Sequence, residues 1–523
     1  MLRRQLRFLL STALLTSPLV AATCESLTAL KPAGTTITAA RNVAAGTFTP
    51  PEGPQLGQAP VDYKKLPAFC RVQGVIQPSA DSHIEFEIWL PSSGWNGRYE
   101  GLGNGGFAGS IDFGGLADAV TNGYAASATD TGHKGNPIEG RWAVGHPEKI
   151  TDFGYRAIHE TAEKAKAVMA AFYGNGPQHS YFSSCSNGGR EALMEAQRFP
   201  ADYDGILAGA PANYWTRLLA SAMADVLTLS DTAAYIPAAK LPAIQAATLA
   251  ACDARDGVKD GVIDEPSRCK FDPAQLLCKG AESDSCLTAP QVAALQKLYT
   301  AKQGFPGHLP GGETDPNGWG TWITGPAPGR SLMFAFGTGF FGNFVYQDAA
   351  WDYHTFQADR ASQVADDKFA RTLNATDPDL KLFRNRGGKL IIYHGWSDAA
   401  ISALNSIDYF KSVQQKMGAA QTSEFVRLYL APGMTHCGGG PGPDDFGQGT
   451  VAPDKPQHSI SNALQQWVEK GTVPDQLVAT KHKPGNPPSV VRTRPLCPYP
   501  QVARYRGSGS TDDAASFACA EPK

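Results

Sequence analysis

The chain has 523 residues and a net charge of −3 at pH 7, room for one large catalytic domain with an insertion or for two to three ordinary domains. No basic surface argues for nucleic acid or an anionic membrane as partner. With 55 glycines and 38 prolines the fold should be rich in loops, and nothing reads as long disorder.

Residues 1–22 read as a signal peptide. Arg3, Arg4 and Arg7 form a positive start, 8–20 is apolar, and Val20-Ala21-Ala22 is a small-residue cleavage site. Cleavage leaves Thr23 first, and Thr23 before Cys24 argues against a lipoprotein. No other apolar run reaches the ~20 residues of a membrane span, so the expectation is a secreted or periplasmic protein. Ten cysteines in an exported chain favour disulfides over thiols or zinc. Local spacing suggests Cys252–Cys269, Cys278–Cys286 and Cys497–Cys519, and Cys24–Cys70 would pin the N-terminus. That leaves Cys185 and Cys437.

Residues 23–100 look β-rich, with 84–90 alternating apolar and polar as a half-buried strand does. A strand end at 98–102 runs into the glycine cluster Gly103-Asn104-Gly105-Gly106. Residues 123–130 form another buried strand, after which Asp130 and His133 are expected to hold a loop. An amphipathic helix over 152–173 leads to a short strand at 178–182. Then comes Ser183-Ser184-Cys185-Ser186-Asn187-Gly188-Gly189-Arg190, followed by a helix over 191–199 and a buried strand over 203–211. A strand turning abruptly into a helix through a serine flanked by small residues is the nucleophile elbow of α/β-hydrolases. Ser184 stands where that motif has its first glycine.

From about 214 to 382 the pattern changes to helical segments (218–229, 238–251, 289–299), Gly/Pro loops and crowded aromatics. This reads as a lid domain inserted between two parts of the core, 23–213 and 383–523. The α/β pattern returns with an apolar strand at 389–394, followed by Gly395-Trp396-Ser397-Asp398. A helix over 403–417, a strand over 425–430, the loop ending Thr435-His436-Cys437 and a helix over 460–470 complete it.

Serine, then aspartate after a late strand, then histidine after the last core strand is the α/β-hydrolase triad order, each at a strand's C-terminal end. Ser186 is the expected nucleophile, His436 the base and Asp398 its orienting acid. His394 is the rival base, read as a satisfied buried histidine of its strand. The Asn187 and Gly106 N–H groups, with Gly105 as the alternative to Gly106, are the expected oxyanion donors. If Ser186 and His436 are within hydrogen-bond reach, Cys185 and Cys437 are near disulfide distance, and a bridge there would clamp nucleophile loop to base loop.

A second constellation is Cys252-Asp253-Ala254-Arg255-Asp256-Gly257-Val258-Lys259-Asp260-Gly261-Val262-Ile263-Asp264. Closely spaced aspartates on a glycine-bearing loop supply hard oxygen ligands suited to Ca²⁺. The expected ligands are the Asp253, Asp256 and Asp260 side chains and the Val258 and Val262 carbonyls, for a structural ion. Asp264 is a further candidate.

Together these pieces (Cys185-Ser186-Asn187-Gly188-Gly189, Gly209-Ala210-Pro211, Cys252 through Asp264, Gly395-Trp396-Ser397-Asp398, His436-Cys437) resemble the tannase/feruloyl esterase family, which includes the mono(hydroxyethyl) terephthalate hydrolases. The resemblance implies an α/β-hydrolase core with an inserted lid, a Ser-Asp-His triad, a disulfide joining the neighbours of Ser and His, lid-bound calcium, and esters of aromatic acids as substrates. The stretch from Gly325-Pro326 to Trp351 looks more like the feruloyl esterase side. Hydroxycinnamic esters, free or linked to plant polysaccharide, are the expected substrates. Galloyl esters and phthalate or terephthalate monoesters are the enzymatic alternatives, and a calcium-stabilised binding protein on an inactive hydrolase fold is the non-enzymatic one.

Overall fold

The computed structural model describes residues 22–51, 61–448, 456–483, 485 and 489–522; apart from Ala22, the expected signal segment lies outside the described residues. A nine-stranded sheet forms the spine: β1 (Thr35–Val43), β2 (Phe69–Ile76), β3 (Ile84–Pro91), β4 (Arg98–Leu102), β5 (Ala125–Thr129), β6 (His179–Cys185), β7 (Gly205–Gly209), β8 (Lys389–Gly395) and β9 (Val426–Ala431). Its spatial order is β1-β2-β3-β5-β4-β6-β7-β8-β9. The first three strands and the β3–β5 pair run antiparallel, and everything from β5 through β9 is parallel. This is the α/β-hydrolase arrangement expected from the sequence.

The parallel strands are short and apolar throughout because helices cover both faces. Successive residues feed opposite layers, as a period of two requires. Phe182, Ile206, Leu390 and Ile392 join one core, under the helices Ala157–Tyr173, Asn187–Arg198 and Ala403–Met417. Tyr181, Leu207 and Ile391 join the other, under Phe113–Thr121 and Ile460–Lys470. The expected helix over 152–173 is regular only from Ala157; its first turn, Asp152–Arg156, is a π-turn.

Between β7 and β8 the chain adds no strand to the sheet among the described residues. Its helices, Trp215–Ser230 the longest beside Ala358–Leu373, build an aromatic core of their own with Phe340, Phe341 and Phe344 fully buried. That core also takes in Phe107, Phe153, Ala400 and Ile401, so the insertion is packed onto the loops at the C-terminal edge of the sheet.

Five disulfides form the five expected pairs: Cys24–Cys70, Cys185–Cys437, Cys252–Cys269, Cys278–Cys286 and Cys497–Cys519. No helix among the described residues is long and apolar enough to cross a membrane.

Candidate active site

β6 ends at Cys185 and the next helix begins at Asn187, which leaves Ser186 alone to make the turn at φ 67° and ψ −123°. A non-glycine residue held there costs about 1–3 kcal/mol. The surroundings fix it: its N–H donates to the Gly209 carbonyl (2.9 Å), and its carbonyl accepts the N–H groups of Arg190 and Ala212 (both 3.1 Å). Gly189 is required by close approach, since a Cβ there would lie 2.2 Å from the Gly209 carbonyl oxygen. Ser184 fits for the complementary reason. A Cβ on Gly188 would meet its Oγ at 1.9 Å, and one on Gly103 would meet its Cβ at 2.8 Å. Two glycines elsewhere make the room that the motif usually makes at position 184.

The three residues expected from separate strand ends converge. His436 Nε2 lies 2.9 Å from Ser186 Oγ, and His436 Nδ1 lies 2.8 Å from Asp398 Oδ2. The other Asp398 oxygen accepts the Ala400 and Ile401 N–H groups at 2.8 and 2.9 Å. Burial acts to raise the Asp398 carboxyl, but His436 and then His394 outweigh it and hold the group well below the ordinary carboxylate range. His394 is fully buried between Ser406 Oγ (2.8 Å) and the Ile401 carbonyl (2.9 Å), with Nε2 3.2 Å from Asp398 Oδ2. It has no path to Ser186 and braces the aspartate instead. The Cys185 and Cys437 Cα atoms are 6.0 Å apart, and Cys437, like Ser186, has a positive φ (65°). The bridge therefore ties together the two strained loops that carry nucleophile and histidine.

Opposite the elbow lies the loop after β4. Gly106 has φ +56°, and a Cβ there would strike the Pro137 carbonyl oxygen at 2.3 Å, so only glycine suits. Gly106 and Asn187 line the same cavity as Ser186 and His436. The Asn187 N–H is the first of its helix and has no intrahelical partner. Neither N–H has a hydrogen-bond partner among the described residues. His133 holds the loop from below through Phe107 O (2.8 Å) and stacks on Trp142, and burial lowers its imidazole to about 4, which keeps it neutral. Asp130 accepts the Glu85 and Gly132 N–H groups. Both therefore hold loops, as expected.

The rest of the cavity is apolar. Trp215, Leu218 and Leu219 come from one helix of the insertion, Trp322, Met333 and Phe336 from its second half, and Ala212, Ala400 and Ile401 from the core loops. Trp322 crosses the His436 ring edge-on at 5.1 Å and stacks on Phe336 at 5.9 Å; Phe336 in turn rests on Phe107. The polar side-chain groups among the described lining residues are those of Ser186, Asn187 and His436 and the indole N–H groups of Trp215 and Trp322; Trp215 Nε1 is buried with no partner among the described residues.

The chain as a whole is similar to known proteins. The tannase and feruloyl esterase family model matches residues 70–520. The chain belongs to the tannase and feruloyl esterase family. It is 42% identical to an uncharacterized esterase of Xanthomonas campestris pv. campestris, over 99% of this chain and 95% of that one. It is 35% identical to the mono(2-hydroxyethyl) terephthalate hydrolase of Piscinibacter sakaiensis, over 87% of this chain and 85% of the relative. Among solved structures, the crystal structure of feruloyl esterase B from Aspergillus oryzae superposes with a TM-score of 0.86 at 31% identity, covering 95% of this chain and 99% of that one. Membership makes the chain a carboxylic ester hydrolase of the tannase/feruloyl esterase type.

No residue of the aspartate loop lines the cleft. Asp253 accepts the Asp260 and Gly261 N–H groups (both 3.1 Å), Asp256 accepts the Val258 N–H (2.8 Å), and Asp260 accepts the Val262 N–H (3.2 Å). Burial drives the Asp264 carboxyl well up, with Asp256 adding to it, and burial likewise raises Asp256. Asp253 and Asp264 are buried and Asp256 and Asp260 half-buried; they are hard oxygen donors of the type that Ca²⁺ takes, but no three of these carboxylates converge on one point. Asp260 also pairs with Arg492 and Arg494 of the C-terminal hairpin.

Proposed function

We propose that this esterase is secreted and hydrolyses esters of hydroxycinnamic-type aromatic acids, free or linked to plant polysaccharide, through an acyl-enzyme on Ser186. The observation that carries the reading is the hydrogen-bonded Ser186–His436–Asp398 chain opening onto a cavity walled by aromatic and aliphatic side chains. Ser186 Oγ attacks the ester carbonyl while His436 Nε2 takes its proton, and Asp398 stabilises the imidazolium that forms. The Asn187 and Gly106 N–H groups hold the oxyanion, each worth about 3–4 kcal/mol of barrier. Collapse expels the alcohol with the proton returned by His436, and water then releases the acid by the reverse sequence.

The wall chemistry supports hydroxycinnamic over the alternatives. A terephthalate monoester brings a second carboxylate and a galloyl ester three hydroxyls. Burying such a group without a partner costs roughly 1–3 kcal/mol, more for a charge. A feruloyl group carries a single ring hydroxyl and places an apolar propenoyl link next to the ester, so fewer polar atoms need partners. Secretion is supported by five disulfides, which persist in oxidising compartments.

Initial rates on methyl ferulate, methyl gallate and mono(2-hydroxyethyl) terephthalate, for wild type and Ser186→Ala, test this reading. Ferulate should lead and the variant should be inactive. Gallate or terephthalate in the lead would reassign the substrate, and silence on all three would leave the fold standing and make the proposed substrate class wrong. We further propose that Asp253, Asp256, Asp260 and the Val258 and Val262 carbonyls hold a structural Ca²⁺, which when bound would neutralise the loop's charge. Chelation should lower the melting temperature and calcium should restore it. An unchanged melting temperature would reject the ion.

A further inference from the structure

Glu191 opens the second turn of the helix Asn187–Arg198, is 1% exposed, and does not line the cleft. Its two carboxylate oxygens reach two different segments. Oε2 accepts the Asn104 N–H at 2.8 Å, and Oε1 accepts Asn187 Nδ2–H at 3.0 Å. Asn104 stands two residues before Gly106 and is fixed by its own amide to the Ser110 and Thr129 carbonyls (both 2.9 Å). Asn187 Nδ2 also reaches the Asn104 carbonyl at 3.3 Å, and its Oδ1 accepts Arg190 Nε at 2.7 Å. Arg190, fully buried, spends its remaining donors on the Gly154 and Phe153 carbonyls. Room for the carboxylate exists because position 103 is glycine, where a Cβ would lie 2.6 Å from Glu191 Oε2.

We propose that Glu191 is a positioning residue for the oxyanion hole: one buried carboxylate sets the distance between the loop bearing the Gly106 N–H and the turn bearing the Asn187 N–H. This rests on the esterase reading above and on those two donors. Charge develops on the carbonyl oxygen only as the tetrahedral intermediate forms, so misplacing the donors weakens the transition state and leaves substrate binding alone. The shape of the network makes the carboxylate specific. A glutamine has one acceptor and one donor end, so it must face either the Asn104 N–H or the Asn187 amide hydrogens with an N–H of its own. Turning the Asn187 amide to suit would set its N–H groups against Arg190 Nε.

The test is steady-state kinetics on the best ester for wild type, Glu191→Gln and Glu191→Ala, with melting temperatures and the affinity of an aryl boronic acid that forms a tetrahedral adduct on Ser186. The expected result is kcat down by roughly tenfold for Glu191→Gln and up to about a hundredfold for Glu191→Ala, KM within about twofold, and boronate affinity falling in step with kcat. Should Glu191→Ala melt before assay, Glu191→Gln keeps the shape and decides. Unchanged kcat, or KM rising while boronate affinity stays constant, overturns the proposal. Wild type without turnover on any ester would overturn the esterase reading instead.

Discussion

The two walls of the cleft are held by different physics. On the sheet side, the side chains around Ser186 are held by directional hydrogen bonds. Asp398 uses both oxygens, His436 both nitrogens, and Glu191 bridges two loops. On the insertion side the wall is Trp322, Met333, Phe336, Leu218 and Leu219, held by ring stacking and packing without directional bonds. Hydrogen-bond geometry permits one arrangement, whereas apolar packing permits many of similar volume. The sheet wall should therefore fail abruptly when changed and act on kcat, while the insertion wall should respond by degrees and act on KM and on which acyl group is preferred.

The largest expected effect is at the centre of the sheet wall. Asp398→Asn keeps the size of the side chain but removes the charge that two histidines share. The kcat should fall by roughly 10³–10⁴ with KM little changed. A loss below tenfold would mean that His436 is oriented by something other than Asp398.

Next comes the covalent tie. Cys185→Ser frees loops 252 residues apart in sequence, which should cost about 2–5 kcal/mol of stability. Because both strained turns lose their brace, kcat should drop as well as the melting temperature. Near-normal turnover in a folded Cys185→Ser protein would show that the bridge stabilises without clamping.

The insertion wall should behave in the other way. Trp322→Ala removes the ring that crosses His436 and stacks on Phe336, and should raise KM by about tenfold with kcat changed far less. Bulkier acyl groups should gain relative to methyl ferulate. If kcat falls instead by the factor seen for Asp398→Asn, the contrast between the two walls is wrong.

The same contrast explains what could be read from the sequence. Ser186, Asp398 and His436 each stand within a few residues of the end of a strong apolar strand, so strand order alone brings them together. Gly106 is legible at the cleft only through the hydrolase topology, which puts the loop after this strand opposite the elbow, since a plain turn explains the glycine cluster nearly as well. Trp322 and Phe336 were not separable from Phe340, Phe341 and Phe344, because helices as short as Trp319–Trp322 and the π-turn Gly339–Val345 break the periodicity that assigns faces. The tolerance of Ser184 depended on Gly103 and Gly188, and the role of Glu191 on Asn104. Both are pairings across separate segments, with no local pattern to reveal them.

The smallest effect tests burial that outweighs a carboxyl's partners against burial that does not. Asp398 is held ionised by its histidines, but burial outweighs the hydrogen bonds that Asp130 and Glu191 accept and meets none at Glu100, so that Glu100 and Asp130 are pushed up to about 8 and Glu191 to about 7. For these three the folded protein holds its proton more tightly than the unfolded chain, whose carboxyls titrate near 4. Their contribution is complete below pH 4 and is lost as pH rises towards 8, because the folded state must ionise groups that burial disfavours. Asp398 has the opposite sign, but its stabilisation is already complete above its ordinary pKa and is flat over this window. The melting temperature should therefore fall between pH 5.5 and pH 8.5, by on the order of 2–4 °C. Glu100→Gln should flatten that slope, since Glu100 Oε2 is buried with no partner among the described residues and an amide there stays neutral. A melting temperature that rises across the same interval, or a slope that Glu100→Gln leaves intact, would mean that these carboxyls are hydrated in solution and that burial does not set their charge.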